Sequence, residues 1–215
     1  MIFSNSALVE YTNISPNKNE NRNHEIDTIT IHCFVGQVTA KRGCDYFAGD
    51  CGCSANYVVG HDGSIGLSVP EKSRSWCSSN AKNDNRAVTI EVACDAYPPY
   101  AVTSSAYESL IELVTDICKR NNINKLLWRN NKDLIGQVDK QNMTVHRWFA
   151  AKACPGDYLM ERMGNIANRV NQNLSKTITL YKVQVGAFSV KDNATKLRDE
   201  LKAKGYNCFI VEVNE

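Results

Sequence analysis

The sequence predicts an α/β protein: a mixed central β-sheet flanked by helices, followed by a small C-terminal β-α-β unit. Three observations support this. Two β-type runs, Ile26–Phe34 and Ala87–Ala93, are separated by hairpin and loop patterns. Two long stripes of apolar residues recur at helical spacing. Near residue 176 the pattern changes again, to strand, helix and strand. The expected organisation is a main domain over residues 1–175, a linker over 176–179 and a small module over 180–215.

Ile26–Phe34 alternates and is β-branched, as a strand requires. Thr39–Cys53, with small and charged residues and scattered glycines, reads as a short helix and a loop. Asn56–Val59 and Ile65–Val69 flank Asp62-Gly63, a strong turn pair, and predict a hairpin. Ala87–Ala93 is a near-continuous apolar run suited to a central strand buried on both faces. Ser105 with Glu108 three residues on forms a capping-box pattern. Tyr107, Leu110, Ile111, Val114, Ile117 and Cys118 then place an amphipathic helix over 105–120, ended by Asn121-Asn122. Leu159, Met163, Ile166, Val170 and Leu174 form a second stripe, which reads as core. Beyond the linker, Tyr181–Phe188 alternates, Asn193–Lys204 is helical with Gly205 as its C-cap, and Cys208–Val213 is strand-like.

The chain has 215 residues, 43% of them hydrophobic, enough for one medium domain with a core plus a small appendage. A net charge of +2 and the absence of a basic run interleaved with aromatics argue against a nucleic-acid partner. No apolar stretch approaches the ~20 residues needed to span a membrane. Met1–Asn23 is polar and Asn-rich, unlike a secretory signal peptide, so the expectation is synthesis in the cytoplasm. Nine cysteines are many for such a chain. Cys44, Cys51 and Cys53, with Cys77 further on, read either as reduced thiols packed as small hydrophobes or as a second metal or disulfide site. The cluster matches no standard zinc spacing, and a reducing compartment favours the first reading.

Four histidines occur in the chain, and two of them follow strand-like runs: His32 after Ile29-Thr30-Ile31, and His146 after Thr144-Val145. Cys154 follows in Lys152-Ala153-Cys154-Pro155. Imidazole and thiolate are preferred zinc ligands, and three protein ligands with an open fourth position is the catalytic arrangement. No short motif links the three, so two core histidines and a buried thiol remain an equal reading of spacing alone. Glu91 is a lone carboxylate in the apolar run Val88–Ala93, where a buried charge is costly. It reads as a general base in a cleft, or as a strand end facing water.

Taken in order, Ile29-Thr30-Ile31-His32, Ser54–Gly63, Asn85–Glu91 and the His146–Pro155 block resemble the zinc-dependent N-acetylmuramoyl-L-alanine amidases of the type-2 class, relatives of the peptidoglycan-recognition proteins. The resemblance covers about residues 25–170. It implies one zinc ion per chain held by His32, His146 and Cys154, with Glu91 as the catalytic carboxylate. It also implies a role for Lys152, two residues before the third ligand, in stabilising a developing oxyanion. Arg74, Trp76 and Asn85 are candidate substrate contacts. Two departures from the family pattern stand out. Ala55 occupies the place of a catalytic tyrosine of the recognition-protein branch, which leaves Tyr57 as core. Cys77 stands where many of these amidases carry a histidine.

The opening Val183-Gln184-Val185-Gly186-Ala187-Phe188 resembles the first half of a SPOR domain, a small peptidoglycan-binding module. The combined expectation is an enzyme that cuts the amide bond between N-acetylmuramic acid and L-alanine in peptidoglycan, of the phage or prophage endolysin type, acting on the wall after release. The alternatives are a cytoplasmic muropeptide-recycling amidase and a non-catalytic peptidoglycan receptor. A β-α-β unit of this size is too small to bury a stable core alone and leaves strand edges unpaired, so it is expected to be either a truncated, mobile tail or completed by the same segment of a second chain, a homodimer.

Overall fold

Alternation along two neighbouring strands builds the molecule. In the computed structural model, which describes residues 3–176 and 183–213, β3 (Thr28–Val35) runs parallel to β7 (Ala87–Cys94). Ile29 and Ile31 on β3, with Val88, Ile90 and Val92 on β7, enter one large core. Between them, Thr30, His32, Thr89 and Glu91 face the opposite side, since successive side chains alternate across a strand. One face is therefore apolar and packed, and the other carries polar groups.

The remaining strands are β1 (Tyr11–Thr12), β2 (Lys18–Asn19), β4 (Tyr57–Val59), β5 (Ile65–Leu67), β6 (Arg74–Ser75) and β8 (Met143–Val145). Among the described residues, six of the eight strands form one sheet in the order β1-β5-β4-β7-β3-β8. β4 and β5 make the predicted antiparallel hairpin, and every other pair in that sheet is parallel. β7 lies between β4 and β3, as its apolar run requires. β2 and β6 pair separately as a short antiparallel ribbon, with Asn19 opposite Arg74. The Asn-rich N-terminus gave no hint of β1 or β2, because two-residue strands have no readable period.

The apolar face is covered by α3 (Ser104–Arg120) and α4 (Asp157–Ser175), the two predicted stripes. Leu110, Ile111, Ile117, Leu159 and Met163 are fully buried there, each contributing about 1.5–3 kcal/mol of transfer free energy. The N-cap of α3 is Thr103, whose hydroxyl accepts from the Ala106 amide at 3.1 Å, rather than the expected Ser105. The capping oxygen must lie one residue before the first helical turn, and the helix begins at Ser104. Asn121 ends it, and Asn122 takes a positive φ of 57°. Tyr57 is wholly buried, and its hydroxyl donates to Glu71 at 2.6 Å. The opposite face is shielded by α1 (Ala40–Phe47) and α2 (Ala81–Arg86). A second, smaller apolar cluster there joins Cys44, Phe47, Ala55, Val58 and Cys77.

The chain divides into two units, Met1–Lys176 and Thr177–Glu215. In the second, α5 (Lys191–Ala203) is present, and Gly205 follows it with φ of +88°. The two predicted flanking strands are absent among the described residues: 183–188 and 208–213 carry no ladder pairing, and Tyr181 and Lys182 lie outside the described residues. An alternating pattern becomes a strand only where a partner satisfies its amides and carbonyls. Val183, Val185, Phe209, Val211 and Val213 are exposed.

Candidate active site

The sheet register assembles the site. His32 and Glu91 are direct register partners on β3 and β7. Ile31 pairs with Val145, the last residue of β8, so the chain delivers His146 beside His32 one step later. His146 opens a short 3-10 turn, His146–Trp148, whose Trp148 ring stacks on Trp128 at 5.1 Å with an interplanar angle of 5°. The Arg147 amide donates to the Cys154 carbonyl at 3.1 Å, which ties the His146 turn to the Cys154 loop.

The three expected ligands meet. The ligand atoms of His32, His146 and Cys154 all lie within 4.8 Å of one another. His32 Nδ1 is 3.4 Å from Cys154 Sγ, close to the ~3.5 Å that tetrahedral zinc geometry implies for an N···S pair. The two imidazole rings are 5.1 Å apart, edge to face. Cys154 Sγ also accepts from the Cys33 amide at 3.4 Å. A second group within the same reach is His32, Cys77 and Glu91.

Glu91 Oε1 lies 3.9 Å from His32 Nδ1 and accepts from the Cys77 thiol at 3.7 Å. Glu91 Oε2 and His32 Nε2 are buried and unpaired among the described residues. Unpaired buried polar atoms cost about 1–3 kcal/mol each and ask for a partner. Burial, reinforced by His146, pushes His32 down to about 3, so its ring is neutral with a lone pair to offer. Burial likewise lowers His146. Burial, with a smaller contribution from Cys33, raises Glu91 to about 8. The neighbouring Cys33 thiol, burial and Glu91 raise Cys154. A cation between these groups acts in the opposite sense, favouring thiolate and carboxylate.

An open cleft of about 530 Å³ gives access to the site; Glu91, His146, Cys77, Lys152, Arg74 and Trp76 are among its lining residues. Lys152 is exposed at its rim. Trp76 and Arg74 are held by one acceptor, Asn19 Oδ1, with the indole nitrogen at 2.7 Å. Asn85 does not reach the cleft. Its amide donates to the Ala81 carbonyl at 2.9 Å and accepts from the Asn23 amide at 3.1 Å, so it closes α2 instead of meeting substrate.

Several functional neighbours escaped the sequence reading. Ser79, with φ of 61°, places its Oγ 3.2 Å from His146 Nε2, a partner that orients the ring. Asp84, raised by burial, accepts from the amides of Cys77 and Ser78 and shapes the loop carrying both residues. Asn83 bridges Thr30 and Thr144, joining α2 to β3 and β8. Only the Asn80 N-cap of α2 could have pointed to this segment.

A parallel-centred sheet thus brings two imidazoles, a thiol and a carboxylate together beside an open cleft. Residues 22–157 match the family described as N-acetylmuramoyl-L-alanine amidase, and residues 161–212 match the SPOR domain. The fold is similar to PlyL (TM-score 0.55, 18% identity, 74% of this chain and 95% of that one). It is also similar to a mutant endolysin from Bacillus subtilis (0.53, 17%, 75% and 99%) and to an AmpD derivative (0.56, 19%, 78% and 99%). No curated protein matches the sequence. The chain belongs to the N-acetylmuramoyl-L-alanine amidase family. It is an enzyme that hydrolyses the amide between N-acetylmuramic acid and L-alanine in peptidoglycan. The SPOR match starts inside α4, whose Met163, Ile166 and Val170 belong to the amidase core.

Proposed function

We propose that the amidase is zinc-dependent, with one zinc ion held by His32, His146 and Cys154, and that Glu91 is its general base. The observation that carries this is the convergence of two neutral imidazoles and a thiol around one point, with the unpaired Glu91 Oε2 beside them. This set leaves Glu91 outside the ligand sphere, whereas the His32–Cys77–Glu91 group would consume the base.

A zinc ion held by His32, His146 and Cys154 would lower the pKa of a coordinated water to about 7 and polarise the scissile carbonyl. Glu91 takes the proton from the attacking water and returns it to the leaving L-alanine nitrogen. The Cys77 thiol, donating to Oε1, holds the carboxylate so that Oε2 is free for this transfer. Lys152, at the cleft rim, stabilises the negative charge that develops on the carbonyl oxygen. Trp76 and Arg74 line the wall where sugar and stem peptide would lie.

We further propose two functional modules, an amidase domain over 1–175 and a peptidoglycan-binding SPOR-like module over 180–215, joined by 176–179. The matched SPOR segment supports wall attachment, which suits an endolysin released from the cytoplasm onto the wall better than recycling of soluble fragments. Its exposed valines and Phe209 favour completion by a partner, a second copy of this chain being one.

The test is metal content with product analysis. Purified enzyme should carry close to one zinc, and a His32→Ala, His146→Ala double variant should carry almost none. Digested walls should show new L-alanine amino termini without new reducing sugar ends. Full zinc occupancy in the double variant would overturn the ligand assignment.

A further inference from the structure

Cys51 and Cys53 flank Gly52, whose φ of +66° turns the chain so that the two thiols face each other. Their Sγ atoms are 3.6 Å apart, and both residues are half-buried. Cys51 Sγ donates to the Cys53 carbonyl at 3.1 Å and accepts from Asn17 Nδ2 at 3.6 Å. Asn17 is itself buried and anchored to the Gly49 carbonyl at 3.0 Å. Gly52 and Cys53 form part of the wall of the cleft that holds Glu91.

The catalytic site uses neither thiol. Among the described residues, the groups close enough to hold a metal are the two around His32, and neither includes Cys51 or Cys53. Two thiols with no third donor make a poor cation site, but two thiols are all a disulfide requires. We propose that Cys51 and Cys53 form a redox-active dithiol, oxidised to a disulfide by a low-molecular-weight disulfide, and so constitute a modification site in the wall of the amidase cleft.

The exchange balances in two steps. Cys51, as thiolate, attacks one sulfur of the oxidant; the oxidant's S–S bond breaks, a mixed disulfide forms on Cys51, and the first thiolate leaves and takes up a proton. Cys53 then gives its proton to water and attacks the Cys51 sulfur. The intramolecular S–S bond forms as the second thiol departs. Two cysteine thiols lose two electrons and two protons, and the oxidant is reduced to two thiols.

The order follows from the surroundings. The Cys51 sulfur accepts from the Asn17 amide and from the Cys53 thiol, both at 3.6 Å. Burial, with the neighbouring Cys51 and Glu91, pushes the Cys53 thiol up to about 12, so it stays protonated until Cys51 has been capped and neutralised. The sulfurs have to close from 3.6 Å to the ~2.05 Å of a disulfide. Because the second attack is intramolecular, the mixed disulfide should be short-lived.

The test uses the full-length, zinc-loaded enzyme with glutathione disulfide as the probe, followed by acid quenching, alkylation and tandem mass spectrometry. Fragmentation separates Cys44, buried on the same peptide, from the pair. Expected is a Cys51–Cys53 cross-link with loss of two hydrogens and no lasting adduct. In Cys53→Ser a glutathione adduct should accumulate on Cys51, and Cys51→Ser should react at Cys53 at least about tenfold more slowly. Lasting adducts without closure in the wild-type enzyme, or oxidation confined to other cysteines while both of these remain alkylatable, would overturn the proposal.

Discussion

His32 and Glu91 are paired residues of two neighbouring parallel strands, and their side chains meet at 3.9 Å on the polar face of the sheet. The proposed ligand and the proposed base thereby sit opposite each other on one paired strand ladder, the rigid placement that catalysis needs. Glu91→Gln keeps the shape but cannot take a proton. It should retain zinc and fold while kcat falls by at least ~100-fold. Lys152→Ala should lose a similar factor with zinc unchanged. Turnover of a soluble muropeptide and metal analysis check both, and a fully active Glu91→Gln enzyme would remove the base from the mechanism.

Cys77 gives a finer test. Its thiol is the only described donor to Glu91 Oε1. Cys77→Ala should lower kcat about fivefold, the scale of one lost hydrogen bond, with zinc content and KM little changed. Cys77→Ser, which restores a donor, should recover part of the loss. Equal activity in all three proteins would show that the thiol only fills space.

Asn19 lies before the segment that matches the amidase family, yet it holds both Trp76 and Arg74 at the cleft. Asn19→Ala should free the indole and the guanidinium. KM should rise about three- to tenfold while kcat stays near wild type. A drop confined to kcat would show that the ribbon shapes the reacting centre instead of the binding wall.

Stability rests on a buried carboxylate far from the cleft. Glu71 is fully buried and accepts from Tyr57 at 2.6 Å, Arg120 at 2.7 Å and Asn121 at 3.1 Å. Glu71→Ala takes the shared acceptor from three donors, one of them charged; Arg120 keeps Asp116 and Asn121 keeps the Ile117 carbonyl, and the loss should cost about 3 kcal/mol in urea unfolding. A loss under about 1 kcal/mol would mean that water replaces the carboxylate easily.

The module boundary is tested by two deletions. Removing 177–215 spares α4 and should leave turnover of soluble muropeptides near wild type while weakening binding to intact walls. Removing 161–215, the start of the SPOR match, takes Met163, Ile166 and Val170 out of the core and should prevent folding. Inactivity of the shorter deletion on the soluble substrate would show that the tail belongs to the catalytic fold.

What the sequence determined by itself was local and periodic. Alternation placed His32 on a strand, a near-continuous apolar run placed Glu91 on another, helical spacing placed α3 and α4, and Asp62-Gly63 placed the hairpin, because each pattern follows from the geometry of one element. The order of a few short blocks brought the family into view. Contacts that join distant segments were decided by the tertiary structure. Nothing local tells Cys77 to touch Glu91, Ser79 to touch His146, or Asn19 to anchor Trp76 across 57 residues. The direction of a loop side chain is likewise set by its turn, which is why Asn85 closes α2 and misses the cleft. The predicted C-terminal strands depended on the same kind of information. Their alternation is plain in the sequence, but a strand exists only through hydrogen bonds to a neighbour, and the neighbour belongs to the assembled structure.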